Sequence, residues 1–78
     1  MIKENDIAYC VRKSVESYLK DLDGERPHPL HDMVISSVEK PLIQMILKYA
    51  GGNQTRAAEL LGIHRNTLRS KMKYHQIN

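Results

Sequence analysis

Between Asn53 and Lys73 the chain gathers hydrogen-bonding side chains and cations with a single opposing acid, Glu59: Asn53, Gln54 and Thr55, then His64, Arg65, Asn66, Thr67, Arg69, Ser70, Lys71 and Lys73. These residue types suit polyanion recognition. The planar fork of an arginine grips guanine O6 and N7 with two hydrogen bonds, and Arg65 supplies such a fork. Lysine ammonium groups neutralise phosphates as point charges, the role expected of Lys71 and Lys73. Asn53, Gln54, Thr55 and Thr67 stand near helix starts, where free backbone N–H groups also favour phosphate oxygens. Simpler roles compete: helix capping for Asn53 and Thr55, and a solvated helix face for Lys71 and Lys73. His64 has two readings, as a cap of the last helix or as a donor over a base edge.

The charge distribution agrees with a polyanion partner. Residues 51–78 hold five cations against one acid, a surplus of four, whereas residues 1–50 hold seven cations against eight acids. A basic end on a near-neutral body is the electrostatic footprint of a nucleic-acid binder. An enzyme lacks its parts here, with no carboxylate pair, no Cys/His pair with a third group and, in 78 residues, too little body to enclose a pocket for a small-molecule substrate. No cofactor is implied. Cys10 has no disulfide partner, and His28, His31, His64 and His75 have no cysteines at zinc-ligand spacing; His28 and His31 are three apart, but Pro29 points to a helix start instead of a metal site. Cys10 lies one position from an apolar stripe and is expected to be a small packing residue. No run of roughly 18 apolar residues exists and no basic-then-apolar leader opens the chain, so a cytoplasmic protein with no membrane association is expected.

Two short helices must position the cationic set. Asn53 is a good N-cap for a helix from Gln54 to Leu61, Gly62 turns the chain, and a last helix runs from about Arg65 to Tyr74. Two short helices joined by a glycine-containing turn describe a helix-turn-helix unit. Close crossing requires small residues on the inner face, supplied by Ala57 and Ala58 with Leu61 beside them, while Ile63, Leu68 and Met72 form the apolar plug. With Leu68 and Met72 inward, Asn66, Arg69, Ser70 and Lys73 point outward, and Arg65 reaches from the tip toward a major-groove floor in double-stranded DNA. Tyr74 is expected to pack against the body.

The preceding 50 residues must carry this unit. The positions Ile7, Val11, Val15, Tyr18 and Leu22 make one stripe of an amphipathic first helix, capped by Asn5 or Asp6 and stopped at Gly24. GERPHP, 24–29, is a connector. A second helix runs from near Leu30 to Tyr49 with Leu30, Val34, Val38, Leu42, Met45, Ile46 and Tyr49 on one side, widened by Ile35, Ile43 and Leu47. Pro41 interrupts it without breaking its apolar phase, which predicts one helix bent there. So wide an apolar surface exceeds what one short partner helix covers, and a second copy of the chain is the economical partner. The expectation is an all-α fold of four helices, two long and two short, as an intertwined homodimer. Residues 1–50 would serve dimerisation, through Val11, Val15, Tyr18, Val34, Val38, Leu42, Met45 and Ile46, and residues 51–78 would bind DNA.

The block GNQTRAAELLGIHRNTLRSKMKYHQIN, 52–78, resembles the C-terminal part of the Fis family (factor for inversion stimulation), and the preceding VEKPLIQMILKYAGG resembles that family's long kinked helix. The resemblance covers roughly Val11 to the end. It implies a homodimeric, DNA-bending, nucleoid-associated transcriptional regulator of bacteria, with RNA polymerase as a further partner. Carried over, Arg65 resembles the base-reading arginine, with Asn53, Thr55, Thr67 and Arg69 as backbone or flanking contacts. This sequence departs from the enteric members, having His64 for Asn, Asn66 for Gly, Ser70 and Tyr74 for Lys, and Gly51 for Arg. Three cations are thereby absent, so equal affinity is not implied. About five residues precede the first helix where the enteric proteins carry a longer arm, and recombinase stimulation is not carried over.

A similar block closes the large activators of the nitrogen-regulator type, the second reading. Met1 and a complete first helix favour a stand-alone protein. A dimerisation adaptor that has lost DNA binding is a third reading, opposed by the basic surplus and the outward Arg, Asn and Thr set.

Overall fold

The computed structural model describes residues 4–26 and 29–78. It is all-α: α1 spans Glu4–Asp21, α2 Leu30–Tyr49, α3 Gln54–Leu61 and α4 Arg65–Tyr74. The chain divides into two compact units, Met1–Val34 and Ile35–Asn78. Among the described residues no helix is long and apolar enough to cross a membrane. His28, weighed above as a metal ligand, lies outside the described residues.

In the first unit, Val11, Val15, Tyr18 and Leu22 of the α1 stripe are half-buried, while Ile7 is exposed. The start of α1 corrects the sequence reading. Asn5 and Asp6 lie within α1 instead of capping it. Cys10 is exposed, not packed. The helix ends as expected at a left-handed turn, with φ of 48° at Asp23 and 85° at Gly24.

In the second unit, the later part of α2 meets the α3–α4 pair. The core consists of Ile43, Leu47, Ala57, Ala58, Leu68 and Met72, with Ile46, Ala50, Leu61, Ile63 and Ile77 packed around it. The two alanines are fully or almost fully buried, which lets α3 cross α4 closely. Helix α2 runs unbroken through Pro41, although Pro41 has no N–H to offer the Ser37 carbonyl.

The burial along α2 differs from the expected ranking of its faces. Ile43 and Leu47, read as the margin of the stripe, form the core, with Ile43 only 1% exposed. Ile35, Val38, Leu42, Met45 and Tyr49 are exposed, Met45 by 66%. Their steps of 3, 4, 3 and 4 make a second apolar seam at heptad spacing. One helix thus carries two apolar faces, one covered within the chain and one open.

Candidate nucleic-acid interface

The turn between α3 and α4 is built from backbone. Gly62 takes a left-handed φ of 74°, its N–H donates to the Glu59 carbonyl at 3.1 Å, and the Ile63 N–H donates to the Ala58 carbonyl at 3.0 Å. This pair of bonds closes the end of α3 and brings apolar Ile63 back over it. Open space surrounds a Cβ built at Gly62, so the requirement for glycine is conformational and not steric. The chain then enters α4 within three residues.

Both helix starts of the unit are capped by side chains. Asn53 Oδ1 accepts the Arg56 N–H at 3.1 Å, and His64 Nδ1 accepts the Asn66 N–H at 3.1 Å. Of the two readings left open for His64, the structure gives the cap. An accepting Nδ1 carries no proton, so the ring keeps its hydrogen on Nε2 and offers a donor at the exposed tip of α4.

The two faces of α4 separate cleanly. Leu68, 0% exposed, Met72 and His75 face the core, whereas Arg65, Asn66, Thr67, Arg69, Ser70 and Lys73 are all exposed. On α3, Thr55 and the further cation Arg56 are exposed and Gln54 is half-buried. The exposed side chains of α4 include two arginines and a lysine and no acid, and the helix has basic residues in its last turn, where its dipole favours them. Tyr74, expected to pack, is 69% exposed and touches its neighbour His75 edge-on at a ring separation of 5.0 Å.

Lys71 is placed differently from Lys73. Its Nζ lies 2.9 Å from Glu39 Oε2, and the other oxygen of that carboxylate, Oε1, lies 2.8 Å from His75 Nε2. Hydrogen bonds from His75 and then from Lys71 hold the Glu39 carboxyl below the ordinary glutamate value, outweighing the opposing effect of its partial burial. Sequence reasoning does not single out Glu39 or His75 as site residues. A signal is present for His75, since Leu68, Met72 and His75 stand at steps of 4 and 3 on one helical face.

Residues 34–75, from within α2 to the end of α4, match bacterial regulatory proteins of the Fis family. The chain belongs to the Fis family. Among its Fis-family relatives, a Fis-like DNA-binding protein of Ralstonia nicotianae is 45% identical over 74 residues, covering 95% of this chain and 96% of that protein. A Fis-like DNA-binding protein of Neisseria meningitidis serogroup A is 47% identical over 70 residues, covering 90% and 89%. The DNA-binding protein Fis of Glaesserella parasuis is 48% identical over 63 residues, which cover 81% of this chain and 64% of that longer protein.

Proposed function

We propose that this chain is a homodimeric protein that binds and bends double-stranded DNA through α4, acts as a transcriptional regulator, and resides with the bacterial nucleoid in the cytoplasm. The observation that carries the reading is the acid-free exposed face of α4, with Arg65 at its tip and a buried apolar face behind it. Arg65 reads base edges from the first turn. Asn53, Gln54, Thr55, Thr67, Arg69, Ser70 and Lys73 hold backbone or flanking positions, and His64 and Asn66 stand beside Arg65. Membership in the Fis family and near full-length similarity to relatives named as DNA-binding proteins support the same function.

The homodimer is supported by the open seam Ile35, Val38, Leu42, Met45 and Tyr49 on α2, whose heptad spacing suits a second α2. Residues 1–50 then serve dimerisation and residues 51–78 DNA binding. Two recognition helices related by a two-fold axis engage successive major grooves, about 34 Å apart on straight DNA; a shorter separation is met by bending the duplex. RNA polymerase is a further partner under this reading. Similarity to small Fis-like relatives that includes α1 favours it over a nitrogen-regulator-type activator. Titration of randomised and A-tract-flanked duplexes at several salt concentrations tests it. Two chains per duplex and a steep fall of affinity with salt are expected; binding that ignores salt, or no binding, overturns it.

A further inference from the structure

One carboxylate on α2 is gripped by two side chains a single turn apart, Lys71 in the last turn of α4 and His75 at its C-cap. Glu39 Oε2 accepts from Lys71 Nζ at 2.9 Å and Glu39 Oε1 accepts from His75 Nε2 at 2.8 Å. The His75 side chain is 4% exposed, so its bond is shielded from water. An ionised carboxylate only accepts, so Nε2 must carry a proton, and the bond exists whether the imidazole is neutral or charged.

The core contacts of α4 are apolar, Leu68 and Met72 belonging to one buried cluster with Ile43, Leu47, Ala57 and Ala58. Such contacts have little directionality and leave a helix free to roll or slide by small amounts. Two charge-assisted bonds from successive turns to the two oxygens of one group fix rotation and axial position together. Arg65 stands ten residues along α4 from His75, about 15 Å at helical rise. A tilt of about 4° about the His75 end displaces the Arg65 tip by roughly 1 Å, enough to spoil a bidentate contact. Contacts to phosphates through flexible lysines and exposed donors tolerate such a shift.

We propose that Glu39 is the positioning residue of the recognition helix: acting through Lys71 and His75, it sets the rotation and depth of α4 and thereby the base-reading part of DNA binding. The inference rests on the reading of α4 as the DNA-recognition helix. It also assigns Lys71 to the half-buried Glu39 carboxylate in preference to a phosphate.

The test compares affinity for a duplex that the unaltered chain selects from a randomised pool with affinity for the unselected pool. In Glu39→Gln the ratio of the two is expected to fall about tenfold, the worth of a spoiled base contact, with pool affinity changed by less than about threefold. A mere loss of folded protein lowers both affinities by one factor and leaves the ratio unchanged. His75→Leu, which keeps volume but removes the donor, is expected to reproduce the loss, and His75→Gln, which restores an N–H, to recover most of the ratio. If Glu39→Gln does not fold, Lys71→Met removes one of the two bonds at a half-exposed position and is expected to lower the ratio part of the way. An unchanged ratio in folded Glu39→Gln or Lys71→Met, or equal ratios for His75→Gln and His75→Leu, overturns the proposal. Arg65→Ala separates the failures: if it flattens the ratio while the Glu39 and His75 variants do not, the positioning role alone is wrong. If the unaltered chain selects no duplex, the reading of α4 falls and takes this proposal with it.

Discussion

His64 Nδ1 accepts the backbone N–H of Asn66 at 3.1 Å, so the imidazole that leads into α4 is its N-cap. Histidine is an uncommon choice for this position, where Ser, Thr, Asp and Asn dominate. His64→Ala is expected to cost about 1 kcal/mol of stability, and His64→Asn to restore most of it. Urea unfolding at one fixed chain concentration measures both; no loss in His64→Ala would mean that the cap contributes nothing.

Lys71 and Lys73 have the same charge and different surroundings. Lys73 is exposed on α4, while the Lys71 ammonium is paired with Glu39. Lys73→Ala is therefore expected to reduce the slope of log affinity against log salt by about one for each phosphate that Lys73 neutralises, with all sequences weakened alike. Lys71→Met should leave that slope nearly unchanged. A fall of the slope in Lys71→Met equal to that in Lys73→Ala would show that Lys71 leaves Glu39 for a phosphate.

The open seam of α2 gives a third expectation. Met45 is 66% exposed, so a charge there disturbs no core packing of its own chain. Met45→Glu is expected to weaken dimerisation by at least about tenfold, or 1.4 kcal/mol. Sedimentation over a range of concentrations reads this directly, and the unfolding midpoint of the unaltered chain should rise with concentration. A folded, monodisperse monomer of the unaltered chain at micromolar concentration contradicts the dimer. Leu68→Ala is the contrasting case, since Leu68 is fully buried, and should cost about 2 to 5 kcal/mol whatever the association state.

The helices are legible in the sequence because periodicity and punctuation agree. Leu30 to Tyr49 keeps one apolar phase across Pro41, and Asn53, Gly62 and the Arg65 start follow from capping and turn chemistry. Which face of α2 is covered is not legible. Leu42 and Ile43 are adjacent apolar residues of similar size, and only the placement of α3 and α4 decides that Ile43 is core and Leu42 open. The pairing of Glu39 with His75 spans 36 positions, and no local pattern reports so distant a polar contact. Asn5 has the chemistry of a cap although it lies inside α1; propensity gives a boundary only to within a residue or two.

The depressed Glu39 carboxyl fixes the sign of one pH effect. Its folded value lies below its ordinary one, so the stability it contributes is fully present above about pH 4.5 and is lost as pH falls through the folded value. Unfolding midpoints of the unaltered chain and of Glu39→Gln should therefore differ at neutral pH and converge in acid below that point. Parallel curves down to the most acidic condition at which both remain folded would contradict the pairing with His75 and Lys71.

Base reading by Arg65 of α4 is tested by the affinity ratio of Arg65→Ala for a duplex selected by the unaltered chain over a randomised pool. The ratio is expected to drop by an amount worth roughly 1 to 3 kcal/mol per half-site, with pool affinity reduced only by the loss of one charge per half-site. Half-altered duplexes establish whether the two halves act independently. A ratio that survives Arg65→Ala intact would contradict base reading by α4 and assign sequence preference to the deformability of the uncontacted central base pairs.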